Sequence, residues 1–149
     1  MKYLISCVLA CVLFTSIAQA SERVKRVIDG DTVDVTRFGR VRLFGVDAPE
    51  KKQRLGMEAK AALESLINGE RVECIRIGSN LTYNRRVCIL VTESGVNLNQ
   101  AMALLGYAYN EPRYSKGLYV VPEQVAKDKE RGVWALDNAV PPWVWRKQR

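Results

Sequence analysis

Apolar residues are interspersed with polar and charged ones from Val24 to Ile28 and from Thr32 to Phe38, the pattern of half-buried strands, and Asp29-Gly30 between them is a hairpin turn signal. Phe38-Gly39-Arg40 makes a second turn and Arg40 to Val46 a third strand, so a three-stranded antiparallel meander is expected, ended by Pro49. The polar, basic run Lys51-Lys52-Gln53-Arg54 then predicts a mobile loop. From Gly56 to Ile67 the apolar positions Met57, Ala61, Leu63, Leu66 and Ile67 fall at helical spacing, stopped by Asn68-Gly69.

Two further β-rich runs, Arg71 to Ile77 and Arg85 to Thr92, flank a polar stretch, Gly78 to Asn84, and are expected to pair as a hairpin. Asn97 can cap a second helix with an apolar face of Leu98, Met102, Leu104 and Leu105, ending at Gly106. After a Tyr-rich loop (Tyr107, Tyr109, Tyr114, Tyr119), Pro122 to Arg131 predicts a third, polar surface helix with Gly132 beyond it. Five short strands with interposed helices indicate an α+β domain: a five-stranded OB-fold barrel with three helices.

The N-terminus changes the bounds of that domain. Lys2, the apolar run Leu4 to Ala18 and the small-x-small site Ala18-Gln19-Ala20 are expected to form a signal peptide over residues 1–20, leaving 21–149 as one domain. A membrane-spanning helix needs about 20 apolar residues, more than this run supplies; a lipid anchor at Cys11 is a minor alternative. Export implies the periplasm or the outside of the cell. The chain carries 23 Lys and Arg against 16 Asp and Glu, a net charge of +7. Only Lys2 among the charges leaves with the leader, so the mature domain stays basic, either for solubility or for attraction to polyanions such as nucleic acid.

Cys7 and Cys11 leave with the leader, and the remaining pair, Cys74 and Cys88, is expected to form a disulfide. The predicted hairpin can set them opposite each other, which a cross-strand bridge requires. Two buried free thiols are the alternative.

Histidine is absent, which removes imidazole bases and histidine metal ligands. Chemistry must then run on carboxylates and arginines, with or without a hard cation. Asp31, just past a turn, and Asp47 and Glu50, at the far end of a neighbouring strand, are expected to converge at one sheet edge. Oxygen ligands without His or Cys select Ca²⁺ or Mg²⁺. Arg42 shares parity with Phe44 and Val46, and Arg85 and Arg86 open a later strand. Guanidinium groups beside a cation and a spare carboxylate suit in-line attack of water on a phosphodiester. Singly these signals are weak: Asp-Gly is first of all a turn, Arg85-Arg86 a surface pair, and the tyrosines either packing or stacking platforms.

Jointly, Ile28-Asp29-Gly30-Asp31-Thr32, then Arg42-Leu43-Phe44-Gly45-Val46-Asp47-Ala48-Pro49-Glu50, then Tyr83-Asn84-Arg85 and the helix after Asn97 resemble the thermonuclease family, whose type member is staphylococcal nuclease. The resemblance covers Val24 to Trp134. It implies an OB-fold barrel and a Ca²⁺-dependent endonuclease acting on DNA and RNA to leave 3′-phosphates, here expected to work as a monomer.

The same resemblance implies that Asp31 and Asp47 ligate Ca²⁺ through carboxylates and Ala48 through its backbone carbonyl. Glu50 holds the attacking water as general base. Arg42 binds the scissile phosphate, Arg85 stabilises charge on phosphorus and leaving group, Tyr83 faces the nucleotide, and Asp29 shapes the turn. Asn84 replaces the family's usual glycine, and Arg86 is an alternative to Arg85. A catalytically silent nucleic-acid-binding module and a structural Ca²⁺-binding domain are the rival classes.

Overall fold

The structure, a computed structural model, describes residues 21–82 and 85–148. The expected leader and Tyr83 lie outside the described residues. Five strands close a barrel: β1 (Glu22–Asp29), β2 (Thr32–Val35), β3 (Gly39–Leu43), then β5 (Arg71–Thr82) and β6 (Arg85–Thr92), in the order β1-β2-β3-β6-β5. Neighbours are antiparallel except β3 and β6, which run parallel with Arg42 beside Val87 and Leu43 beside Cys88. Val33, Val35, Val41, Leu43, Cys88 and Leu90 fill the interior. Helix α1 (Gly56–Ile67) adds Ala59 and Leu63 to this core, and α2 (Leu98–Leu104) adds Leu98 and Met102.

Local signals hold where they were expected to be strongest. Helix α1 has the expected bounds, with Asn68 in a left-handed conformation at its end, but its buried face is Gly56, Ala59, Leu63 and Ile67, while Met57 and Ala61 of the expected stripe are exposed. Asn97 caps α2 by accepting from Gln100 N. Buried Asn99 accepts from Leu90 N at 3.0 Å and donates to the Phe44 and Cys88 carbonyls at 3.0 and 3.1 Å. Both its amide N–H groups and its oxygen are engaged in holding α2 onto the seam between β3 and β6.

Tertiary contacts correct the rest. The third strand ends at Leu43, not Val46, because Gly45 takes φ +68° and a Cβ there would lie 2.7 Å from Ser115 Cα. The chain resumes as a two-residue strand, β4 (Val46–Asp47), paired not with the barrel but with β7 (Tyr109–Asn110). Gly78 to Thr82 is strand rather than loop: past a register shift, Leu81 and Thr82 pair with Arg86 and Arg85, and the ladder overrides weak local propensity.

The disulfide forms, but diagonally: Cys74 faces Leu90 and Cys88 faces Arg76, with the two Cα atoms 5.4 Å apart. The third long helix, α4 (Val120–Asp128), starts and ends earlier than Pro122 to Arg131. Pro122 still falls in its first turn, where no backbone donor is needed. Two four-residue helices were not expected, α3 (Pro112–Ser115) before α4 and α5 (Pro142–Trp145) after it. No helix of the described residues is long and apolar enough to cross a membrane.

Candidate active site

The β1-β2 turn sets the first carboxylate. Asp29 accepts from Asp31 N at 3.1 Å, the turn-shaping role expected of it. A Cβ on Gly30 would sit 2.7 Å from the Cβ atoms of both Ala48 and Ala59, so only glycine lets this turn lie against α1 and the chain after β4. Asp31 is thereby carried into the protein, 3% exposed. Its Oδ1 accepts from Thr32 Oγ1 at 2.9 Å and Arg42 Nη1 at 2.6 Å, and its Oδ2 from Ala48 N at 2.9 Å. Burial pushes its pKa up to about 7, against the opposing pull of Arg42.

Arg42 reaches from β3 across to the second carboxylate, Asp47 Oδ1, at 2.7 Å. Burial disfavours its charge, but Asp31 and Asp47 together outweigh that and hold its pKa above the usual value. Glu50 follows on a turn that is pinned rather than mobile. Gln53, itself buried, donates its N–H to Glu50 O at 2.7 Å and accepts from Glu50 N at 3.2 Å, while Lys51, Lys52 and Arg54 stay exposed.

Asp31, Asp47 and Glu50 therefore converge as expected, although Asp47 arrives on β4, paired with β7, rather than at the end of a continuous third barrel strand. They line one cavity of about 510 Å³ together with Arg42, Ala48, Arg85 and Val87. Arg85 shares the outer parity of Val87 and faces this cavity; among the described residues it makes no ion pair. Arg86 has the opposite parity and stacks on the Phe38 ring, 4.3 Å from its centroid. Of the two adjacent arginines, Arg85 is the one that lines the cavity with the carboxylates. The tyrosines divide: Tyr109 and Tyr119 are core, whereas Tyr114 is 60% exposed at the cavity rim.

A profile of the family described as staphylococcal nuclease homologue matches residues 40–136, about two thirds of the chain. The chain belongs to that family. It is 34% identical over 131 residues to an uncharacterized endonuclease of Escherichia coli O157:H7, covering 85% of each chain. It is 33% identical to an uncharacterized endonuclease of Haemophilus influenzae, covering 85% of this chain and 72% of that one. A probable staphylococcal-like nuclease of Oryza sativa subsp. japonica is 32% identical over 84% of this chain and 25% of its own. The class expected from the motifs, a nuclease hydrolase on an OB-type barrel, is the class of this staphylococcal nuclease homologue.

The cavity also holds residues that the motifs did not reveal. Arg146 donates from Nη2 to Asp47 Oδ2 at 2.7 Å and from Nη1 to Glu50 Oε1 at 2.9 Å. Its hydrogen bonds to Asp47, then those to Glu50, raise its pKa against partial burial. Glu111 holds Arg113 through two parallel bonds of 2.9 Å at the same cavity. Arg146 stands beyond the residues carrying the resemblance. The one available signal was the apolar run Pro141-Pro142-Trp143-Val144-Trp145 before it, unusual for a frayed chain end.

A divalent cation fits this donor set. Two buried carboxylates and a neighbouring carbonyl, without thiolate or imidazole, make a hard-oxygen site, and the burial that drives Asp31 toward its neutral form is relieved by positive charge. Among the described residues no group of three or more acidic, His or Cys side chains is placed to hold a metal ion, so a cation here would rest on the Asp31–Asp47 pair, the carbonyl and water.

Proposed function

We propose that this nuclease is exported by a leader spanning residues 1–20 and, as a monomer, hydrolyses DNA and RNA in a Ca²⁺-dependent endonucleolytic reaction that leaves 3′-phosphates. The observation that supports this best is the meeting of Asp31, Asp47, Glu50, Arg42 and Arg85 around one cavity. Asp31, Asp47 and the Ala48 carbonyl would hold the cation, which supplies Lewis-acid polarisation of a phosphoryl oxygen.

The protein's own groups account for the remaining steps. Glu50 takes a proton from water as the water oxygen bonds to phosphorus. Arg42 and Arg85 donate N–H bonds to the phosphoryl oxygens as their negative charge grows. The bond from phosphorus to the 5′-oxygen breaks, its electron pair leaves with that oxygen, and the oxygen takes a proton from solvent while Glu50 returns its own to solvent, leaving a 3′-phosphate and a 5′-hydroxyl. Three of Arg42's five donors are committed, to Asp31, Asp47 and the Val46 carbonyl, so its fork still has N–H groups to offer. Tyr83 would face the nucleotide. The Cys74–Cys88 disulfide and the absence of a membrane-spanning helix among the described residues are compatible with export.

The test is digestion of single-stranded DNA and RNA by the mature protein with Ca²⁺, then with a chelator, followed by analysis of product ends. Cleavage is expected only with Ca²⁺, with 3′-phosphate termini, and Glu50→Gln is expected to lower turnover about 10²- to 10⁴-fold. Binding without cleavage would refute the catalytic reading, and near wild-type turnover in Glu50→Gln would refute that residue's role.

A further inference from the structure

The C-terminal segment is not used by the mechanism above, yet it is fastened to it. Gln53 Nε2 donates to Val140 O. Pro142 is buried, and Trp143 meets the Tyr109 ring edge-on at 5.6 Å between centroids. Arg146 then closes on the carboxylates, its Nη1 also 3.2 Å from Asp47 Oδ1. Each anchor is bonded or paired to a site residue. Tyr109 is the β7 partner of Asp47, and Gln53 bonds both backbone groups of Glu50.

This arrangement puts Arg146 in competition with a cation. Asp47 is 2% exposed and receives Arg42 on Oδ1 and Arg146 on both oxygens. A ligating carboxylate must offer a lone pair, and both of its oxygens are here turned to guanidinium donors. Arg42 is fixed in the barrel wall, whereas Arg146 is 43% exposed on a short terminal segment. Two further positive charges at Asp47 are opposed while Arg146 stays, because like charges at contact repel.

We propose that Arg146 is a built-in competitor for the divalent cation: it occupies Asp47 and Glu50 until the cation displaces it, and so sets how tightly the cation binds. This rests on the cation reading given under Proposed function. Displacement would free the Glu50 carboxylate for water and release the strap that holds Trp143 against Tyr109. The cation's apparent affinity is then its intrinsic affinity reduced by the fraction of molecules in which Arg146 has let go.

Calorimetric titration of Ca²⁺ into metal-stripped mature protein, wild type and Arg146→Gln, reads this directly, with tryptophan emission followed in parallel. Arg146→Gln is expected to bind Ca²⁺ about fivefold or more tightly, the lower end of ordinary coupling between sites. Arg146→Lys, which keeps the charge but loses the fork, should fall between the two. Ca²⁺ should change tryptophan emission in the wild type, and Trp143→Phe should remove most of that change. Equal or weaker binding by Arg146→Gln overturns the competition alone. Absence of Ca²⁺ binding in both proteins overturns the cation reading and the competition together. Circular dichroism of each variant confirms that the fold is retained.

Discussion

Two arginines reach Asp47 from different parts of the molecule, each by a bond of 2.7 Å, and they are held in different ways. Arg42 rises from β3 between buried Val41 and Leu43, its side chain 23% exposed, and bridges two carboxylates that are themselves buried. Arg146 arrives on a terminal segment beyond α5 with 43% of its side chain exposed. Bond length does not separate them; surroundings do. An exposed ion pair contributes about 0–1 kcal/mol, whereas stripping one partner from a buried pair costs about 3–5 kcal/mol. The same carboxylate therefore has one permanent counter-ion and one exchangeable one.

The largest effect is expected from Arg42→Ala, which leaves Asp31 buried beside Asp47 without its bridge. Denaturant unfolding should show a loss of about 3–5 kcal/mol, with turnover lost as well. A loss no larger than that of an exposed pair would erase the contrast with Arg146. Arg85→Ala comes next and separates stability from chemistry. Arg85 shares the cavity but makes no ion pair among the described residues, so its removal should leave stability within about 0.5 kcal/mol while lowering turnover about 10²- to 10³-fold. Unaltered turnover there, with a defect in an Arg86 variant, would transfer the role to the neighbouring arginine.

A third test leaves all the arginines and weakens the barrel that holds Arg42. Replacing Cys74 and Cys88 by serine opens a loop of sequence separation 14 and is expected to cost roughly 3 kcal/mol, read as a lower melting temperature. Turnover measured well below that temperature should survive if β3 and β6 keep their register. The smallest effect is Arg146→Gln on stability, expected within about 1 kcal/mol of wild type. A loss comparable to that of Arg42→Ala would show that the terminal segment is a structural element and that the two arginines are alike.

What could be read in the chain beforehand follows the distance over which each feature is determined. The bounds of helix α1 and the Asn97 cap depend on residues within a few positions and match expectation. The break at Gly45 depends on Ser115 standing behind it, and the extension of β5 to Thr82 depends on pairing with β6. Neither cause is local, so neither was visible. The candidate site divides in the same way. Asp31, Arg42, Asp47 and Glu50 sit on two short motifs joined by adjacent strands, and their convergence was legible. Arg146 enters only because Trp143 packs on Tyr109 and Gln53 holds Val140, contacts that no spacing encodes.

The parallel seam between β3 and β6 gives this enzyme an internal order of assembly. Hairpins such as β1-β2 and β5-β6 join neighbours in sequence, but the seam joins strands separated by α1 and all of β5, so its closure carries the larger entropic cost. Arg85 comes alongside Arg42 only when that seam closes. A half-folded chain, with its hairpins made and its acids in place, would still lack the arginine that completes the site. Recovery of cleavage during refolding would then time the closure of that seam, and a molecule short of it would lack a complete site.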